Sequence, residues 1–147
     1  MTGTIILMVE DNVNDEVLML RALRKANIAN PVDVARDGAE ALDYLFARGS
    51  YAMRASAELP TIVFLDLNLP KISGIEVLRK IRADEKTRLL PVVVLTSSSE
   101  DEDVIASYRL GANSYVVKPI DFVAFAEAVK QLGLYWLGVN QRPPSTG

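Results

Sequence analysis

The chain has 147 residues, close to the roughly 150 of a single domain, and its 50% apolar and 24% charged composition is that of a folded chain with a real core. Lys and Arg total 16 against 19 Asp and Glu, a net charge of −3 that offers no general attraction to nucleic acid or anionic lipid. Cysteine and histidine are both absent, which excludes disulfides, thiolate nucleophiles, zinc-finger ligation and Ser-His triads, and leaves any chemistry to carboxylates, hydroxyls or lysine.

Residues 4–9 form a first strand-like apolar run, entered without a basic segment or cleavage site. Val13, Val17, Leu20 and Leu23 then step at helical spacing. Residues 31–35 read as a second strand, and Asp37 with Glu40 three residues on has the form of a capping box opening a second helix. A connection longer than usual, residues 48–60, leads to a third strand at 61–65, with a fourth at 91–95. Ser99 followed by Glu100, Asp101, Glu102 and Asp103 suits the start of a helix, where carboxylates meet the positive end of the dipole, so these acids are given no binding role. Gly111 is placed to end that helix before a fifth strand at 114–117. Phe125, Val129, Leu132 and Trp136 mark a last helical face, and the Pro-rich stretch 141–147 closes the chain. No apolar run approaches the roughly 20 residues that cross a bilayer. A cytoplasmic protein with no membrane and no direct nucleic-acid partner is expected.

Strands that are apolar nearly throughout and alternate with helices predict a parallel sheet covered on both faces. Sites in such sheets lie beyond the carboxyl ends of the strands. Strand one ends there in Glu10-Asp11, strand three in Asp66, strand four in Thr96-Ser97 and strand five in Lys118-Pro119. Three carboxylates at one edge repel unless a cation neutralises them, and hard oxygen donors suit Mg²⁺, or Mn²⁺ in its place. A lysine and a hydroxyl beside them complement a phosphoryl group. With His and Cys absent, the Asp66 carboxylate is the candidate nucleophile, and an aspartyl phosphate is the product. Glu10 or Asp11 could instead cap the following helix, and the residues from Thr96 to Ser99 could be an ordinary helix-start cluster.

Taken together, the acidic pair, the Asp after strand three, the Thr, the aromatic Tyr115 and the Lys-Pro pair resemble the receiver domain of two-component response regulators, over about residues 4–136. Asp66-Leu67-Asn68-Leu69-Pro70 with Gly74 resembles that family's loop. The resemblance implies an α/β, doubly wound, five-stranded parallel sheet in the flavodoxin-like, CheY-like order 2-1-3-4-5 with five helices. It implies that Glu10, Asp11, Asp66 and the backbone carbonyl of Asn68 hold the metal, that Asp66 is phosphorylated, that Lys118 and Thr96 assist, and that Thr96 and Tyr115 form the switch. Asn68 and Ser98 flank the expected water path and would tune hydrolysis. To move a two-state equilibrium from about 1:99 to 99:1, phosphorylation must favour the active state by about 5.5 kcal/mol.

Residues 1–136 are expected to be the receiver domain and 137–147 a C-terminal arm. With no DNA-binding module read after helix five, output is expected through a downstream phosphotransfer or effector protein, or through self-association. Leu134, Tyr135, Trp136 and Leu137 carry more apolar surface than a terminal helix needs, and a homodimer built on helix five and residues 135–144 is expected. Tail and long loop resemble stand-alone response regulators of phytochrome-type sensor histidine kinases, which makes such a kinase the expected partner. Haloacid-dehalogenase-like phosphatases also form an aspartyl phosphate, but they need a second Asp where this chain has Asn68. A flavodoxin-like FMN site is disfavoured because Glu10 and Asp11 would repel the ligand phosphate, and a degenerate receiver is disfavoured by the intact Asp66, Thr96 and Lys118.

Overall fold

The computed structural model of the chain describes residues 5–54 and 59–144. Short runs of β-branched and aliphatic residues build the sheet: β1 (Ile6–Val9), β2 (Val32–Ala35), β3 (Ile62–Leu65), β4 (Val92–Thr96) and β5 (Ser114–Val117). The order is β2-β1-β3-β4-β5, as expected, and every neighbouring pair is parallel. β1, β3 and β4 are buried along their whole length, which is why they are apolar without alternation; the edge strands β2 and β5 are only partly covered. Position 4, expected to open the first strand, lies outside the described residues, as do 55–58 of the long connection and 145–147 of the tail.

Five helices follow the strands: α1 (Val13–Lys25), α2 (Gly38–Leu45), α3 (Gly74–Ala83), α4 (Asp101–Arg109) and α5 (Phe122–Leu134). Because strand side chains alternate, the sheet separates two cores. Ile6, Met8, Phe64, Val93 and Leu95 pack with Met19 and Leu23 of α1 and Phe125 and Val129 of α5. Leu7, Val9, Leu65, Val92 and Val94 pack with Leu42 of α2 and Val77, Leu78 and Ile81 of α3.

Local signals account for most helix ends. Asp37 accepts the Glu40 amide at 2.7 Å, while the Glu40 carboxylate reaches back to the Arg36 amide at 2.9 Å, so the expected capping box is present with its return bond displaced by one residue. Gly111 follows α4 with φ +91, the left-handed turn expected of it. Three expectations need correction. On α1 the buried side is Met19, Ala22 and Leu23, while Val13, which borders the cleft at the strand ends, and Val17 are 63% and 45% exposed. Ser99 does not cap α4; the cap is Glu100, whose amide donates to the Ser98 hydroxyl. The last helical face does not run unbroken to Trp136, since α5 ends at Leu134 and a π-helical turn, Tyr135–Val139, continues it.

The long connection is not featureless. Its first part is a 3₁₀ helix, Gly49–Arg54, fixed by Tyr51, whose hydroxyl donates to Glu40 at 2.5 Å and whose ring meets Tyr44 edge-on at 5.3 Å. Burial pushes the Tyr44 phenol well up, helped by Asp33, and hydrogen bonding to Glu40 pushes Tyr51 up to about 12.

α3 comes close to the end of β3. A Cβ on Gly74 would lie 2.2 Å from the Asp66 carbonyl oxygen and 2.6 Å from the Leu67 Cα, so glycine is required for the helix to pass the turn after β3. Gly74→Ala is expected to destabilise the fold by about 1–3 kcal/mol, read as a lower midpoint of urea unfolding. An unchanged midpoint would show that the turn after β3 gives way without cost.

Candidate functional site

Parallel register delivers the polar residues to one place. Val9 pairs with Leu65, so Glu10 and Asp66 leave the sheet side by side, and Thr96 pairs with Val117, so Lys118 follows one residue beyond Thr96 at the same edge. Backbone bonds continue the ladder through these positions, from the Asp66 amide to the Val9 carbonyl at 3.1 Å and from the Lys118 amide to the Thr96 carbonyl at 2.7 Å. The side chain of Asn12 caps α1 through the Asp15 amide at 3.0 Å. That resolves the alternative left open by the sequence: neither Glu10 nor Asp11 is used as the cap.

The cleft at this edge is lined by Asp11, Asn12, Asp15, Asp66, Asn68 and Lys118, among others. At its floor the Lys118 ammonium donates to Glu10 at 2.7 Å, Asp15 at 2.8 Å and Asp66 at 2.9 Å. Asp66 uses Oδ2 for Lys118 and Oδ1 for the Thr96 hydroxyl at 2.9 Å and the Asn68 amide at 3.1 Å. Glu10, Asp66 and Thr96 are buried, while Asp11 is exposed at the mouth. Burial pushes the Glu10 carboxyl up to about 7; the Lys118 bond opposes the shift and the Asp66 charge adds to it. Burial also works against the charge of Lys118, but its bonds to Asp15, Glu10 and Asp66 outweigh this and hold the ammonium above its ordinary range.

Glu10, Asp11 and Asp66 each offer a carboxylate oxygen within 4.8 Å of the other two. This hard-oxygen set suits a small divalent cation such as Mg²⁺ or Mn²⁺, and a cation offsets the repulsion among the acids. The donor set therefore fits the metal that the sequence suggested.

Of the residues singled out in the sequence, Glu10, Asp11, Asp66, Asn68, Thr96 and Lys118 meet here. Tyr115 and Ser98 form an adjacent pair: the Tyr115 hydroxyl donates to the Ser98 carbonyl at 2.9 Å, and the ring already packs against the core. Burial pushes the Tyr115 phenol up. The Ser98 hydroxyl is directed to Asp103 at 2.5 Å, tying it to the first turn of α4. Leu134, Tyr135, Trp136 and Leu137 lie at the opposite end, where α5 passes Leu23 and Ile28 at Gly133. These four residues diverge in exposure: Leu134 and Tyr135 are exposed, while Trp136 and Leu137 fold onto the chain's own core. Sequence reasoning missed Asp15. Its signal was an acid in the first turn of α1, three residues after the Asn12 cap and close behind the acids that end β1.

Residues 6–130 match the family described as the response regulator receiver domain. Among curated relatives, the probable methanogenesis regulatory protein FilR2 of Methanothrix harundinacea is 41% identical over 139 residues, covering 95% of this chain and 87% of the relative. Response regulator Rcp1 of Synechocystis sp. is 37% identical over 133 residues, covering 90% and 88%. The crystal structure of the Mn²⁺-bound form of Rcp1 superposes with a TM-score of 0.89 over 96% of this chain and 99% of that one, at 35% identity. The phosphorylated cyanobacterial phytochrome response regulator RcpA gives 0.90 over 97% and 100%, at 37% identity.

A protonated Glu10 must lose its proton to bind a cation. Mn²⁺ affinity is therefore expected to rise with pH between about 5 and about 7, by no more than about tenfold per unit, and to level off above. Calorimetry in buffers of different ionisation enthalpy reads the released proton. Affinity independent of pH across this window would show that Glu10 is ionised before the cation arrives.

Proposed function

This chain belongs to the response regulator receiver family, and from that membership and the geometry of the cleft we propose that it accepts a phosphoryl group on Asp66 from a sensor histidine kinase, of the phytochrome type. The observation that carries this reading is the meeting of Lys118, Thr96 and Asp66 within 2.9 Å beside two further carboxylates, Glu10 and Asp11. A carboxylate oxygen of Asp66 forms the new bond to phosphorus while the bond from phosphorus to the kinase's imidazole nitrogen breaks, and that nitrogen keeps the electron pair. Lys118 and Thr96 supply a charge and a hydroxyl donor to the transferred oxygens. Glu10, Asp11, Asp66 and the Asn68 carbonyl would hold a divalent cation, which would neutralise part of the remaining charge. The chain is a signalling protein whose only catalysis is its own phosphorylation and slow hydrolysis, with water admitted past Asn68.

The response runs outward from Thr96. Its hydroxyl accepts the Ser98 amide at 3.4 Å, so a Thr96 that follows the phosphoryl group draws on the segment that holds both Tyr115 and α4. In this reading the output surface is α4, β5 and α5, read by an effector, a downstream phosphotransfer protein or a second copy. The kinase, cytoplasmic signalling and the division into a receiver at 1–136 and an arm at 137–147 belong to the same proposal. Among the described residues no helix is long and apolar enough to cross a membrane.

Asp66→Asn is expected to abolish labelling by acetyl phosphate with Mg²⁺, read by intact mass; labelling equal to the unaltered chain would remove Asp66 as the acceptor. A homodimer would use the outward residues of the arm, Leu134, Tyr135 and Val139, since Trp136 and Leu137 are engaged within the chain. Replacing Leu134 and Tyr135 together by Glu is expected to halve the sedimenting mass without lowering the unfolding midpoint. The same particle mass for both proteins would place the contact elsewhere.

A further inference from the structure

We propose that Asp103 is a positioning residue: by accepting the Ser98 hydroxyl it holds the turn between β4 and α4 in the arrangement that presents Thr96 to a phosphoryl group. The proposal rests on the reading of Asp66 as phosphoacceptor and adds a residue to it. The polar groups of Ser98 are bonded to three different elements. Its amide donates to the Thr96 hydroxyl oxygen at 3.4 Å, its carbonyl accepts the Tyr115 hydroxyl at 2.9 Å, and its own hydroxyl donates to Asp103 at 2.5 Å. That hydroxyl also accepts the Glu100 amide at 3.3 Å. The Ser98 amide occupies one acceptor position of the Thr96 oxygen, and the Thr96 proton is directed the other way, to Asp66 at 2.9 Å.

Packing contributes little to this arrangement. α4 buries a single residue, Ser107, where each of the other helices buries three to five, and the Ser107 hydroxyl has no hydrogen-bond partner among the described residues. Glu100, the cap of α4, makes no side-chain capping bond. The start of α4 is therefore tied to the strand ends through Ser98, and the tie that depends on a side chain at both ends is the bond to Asp103. Asp101 and Glu102, in the same first turn, are exposed and serve only the helix dipole. Without the Asp103 bond, residues 97–100 gain conformations that do not set the Ser98 amide on Thr96, and an arriving phosphoryl group must order them again.

The test titrates beryllofluoride, a phosphoryl mimic, with Mg²⁺ on the full chain. Ser98→Ala and Asp103→Ala are each expected to weaken its binding about tenfold, equivalent to 1.4 kcal/mol, and the double variant to weaken it no further, because both changes remove the same bond. Asp103→Asn keeps an oxygen that accepts the Ser98 hydroxyl and is expected to retain the original affinity. Asp101→Asn is the charge control in the same turn. Labelling with 3-fluorotyrosine, with Tyr115→Phe for assignment, reads the turn directly: without ligand, the Tyr115 fluorine resonance should shift or broaden in both alanine variants and stay in place in Asp103→Asn. Additive losses in the double variant, a loss in Asp103→Asn or Asp101→Asn as large as in Asp103→Ala, unchanged or tighter binding in both alanine variants, or a Tyr115 resonance indifferent to them would each overturn the proposal. An unaltered chain that takes up neither beryllofluoride nor a phosphoryl group would overturn the functional reading itself; uptake with indifferent variants overturns only the role of Asp103. Ser98→Ala removes one atom from a turn outside the helix, so the comparison stands if Asp103→Ala fails to fold.

Discussion

One ammonium group holds the carboxyl edge of the sheet together. Lys118, at the end of an edge strand, is bonded to β1 through Glu10, to α1 through Asp15 and to β3 through Asp66. The buried Glu10 and Asp66 are unfavourable at their positions without a cation, and Lys118 without its acids would be a buried unpaired charge. The arrangement is therefore mutually dependent. It makes the edge rigid before any ligand arrives, and it leaves negative charge in excess, since Asp11 stands beside the same cluster. The excess is what makes a divalent cation a fitting occupant.

The hydrogen bonds around the cluster are divided so that the acids stay available. Asn12 and not an acid caps α1, and Gly74 lets α3 pass the turn after β3 at a distance no side chain would permit. Asp66 receives donors on both oxygens, from Lys118 on one and from Thr96 and the Asn68 amide on the other. A carboxylate held in this way is fixed in orientation. The second oxygen is also the start of a bonded chain that continues through Thr96 to Ser98 and from there to Asp103 and Tyr115. Any change at Asp66 that moves Thr96 acts on the start of α4 and on the aromatic of β5 together.

The far end of the molecule is built differently. Beyond α5 the π-helical turn brings Trp136 inward with Tyr135 edge-on to it at 5.1 Å, and Arg142 crosses to the Thr61 hydroxyl at 2.9 Å, at the start of β3. The arm is thus packed against the chain from which it comes. Its apolar character, which alone suggested a contact surface, is split between internal packing and an outward set of Leu134, Tyr135 and Val139.

The sequence by itself determined the sheet and most of the residues that meet in the cleft. Runs such as 62–65 and 92–95 are apolar at every position, as a strand covered on both faces requires, and parallel pairing then sends the residues that follow them to a common edge. Asp66, Thr96, Lys118, Glu10 and Asp11 were legible for that reason: strand ends are one-dimensional features. Tertiary structure alone decided what depends on distances between elements remote in the chain. Asp15 became part of the site because Lys118, 103 residues away, reaches it. Ser98 became a link between Tyr115 and Asp103, where the sequence offered only a helix-start cluster. Val13 and Val17 carry the helical spacing of a core face, yet both are exposed, Val13 beside the cleft. Periodicity reports which residues share a side of a helix, and only packing decides whether anything lies against that side.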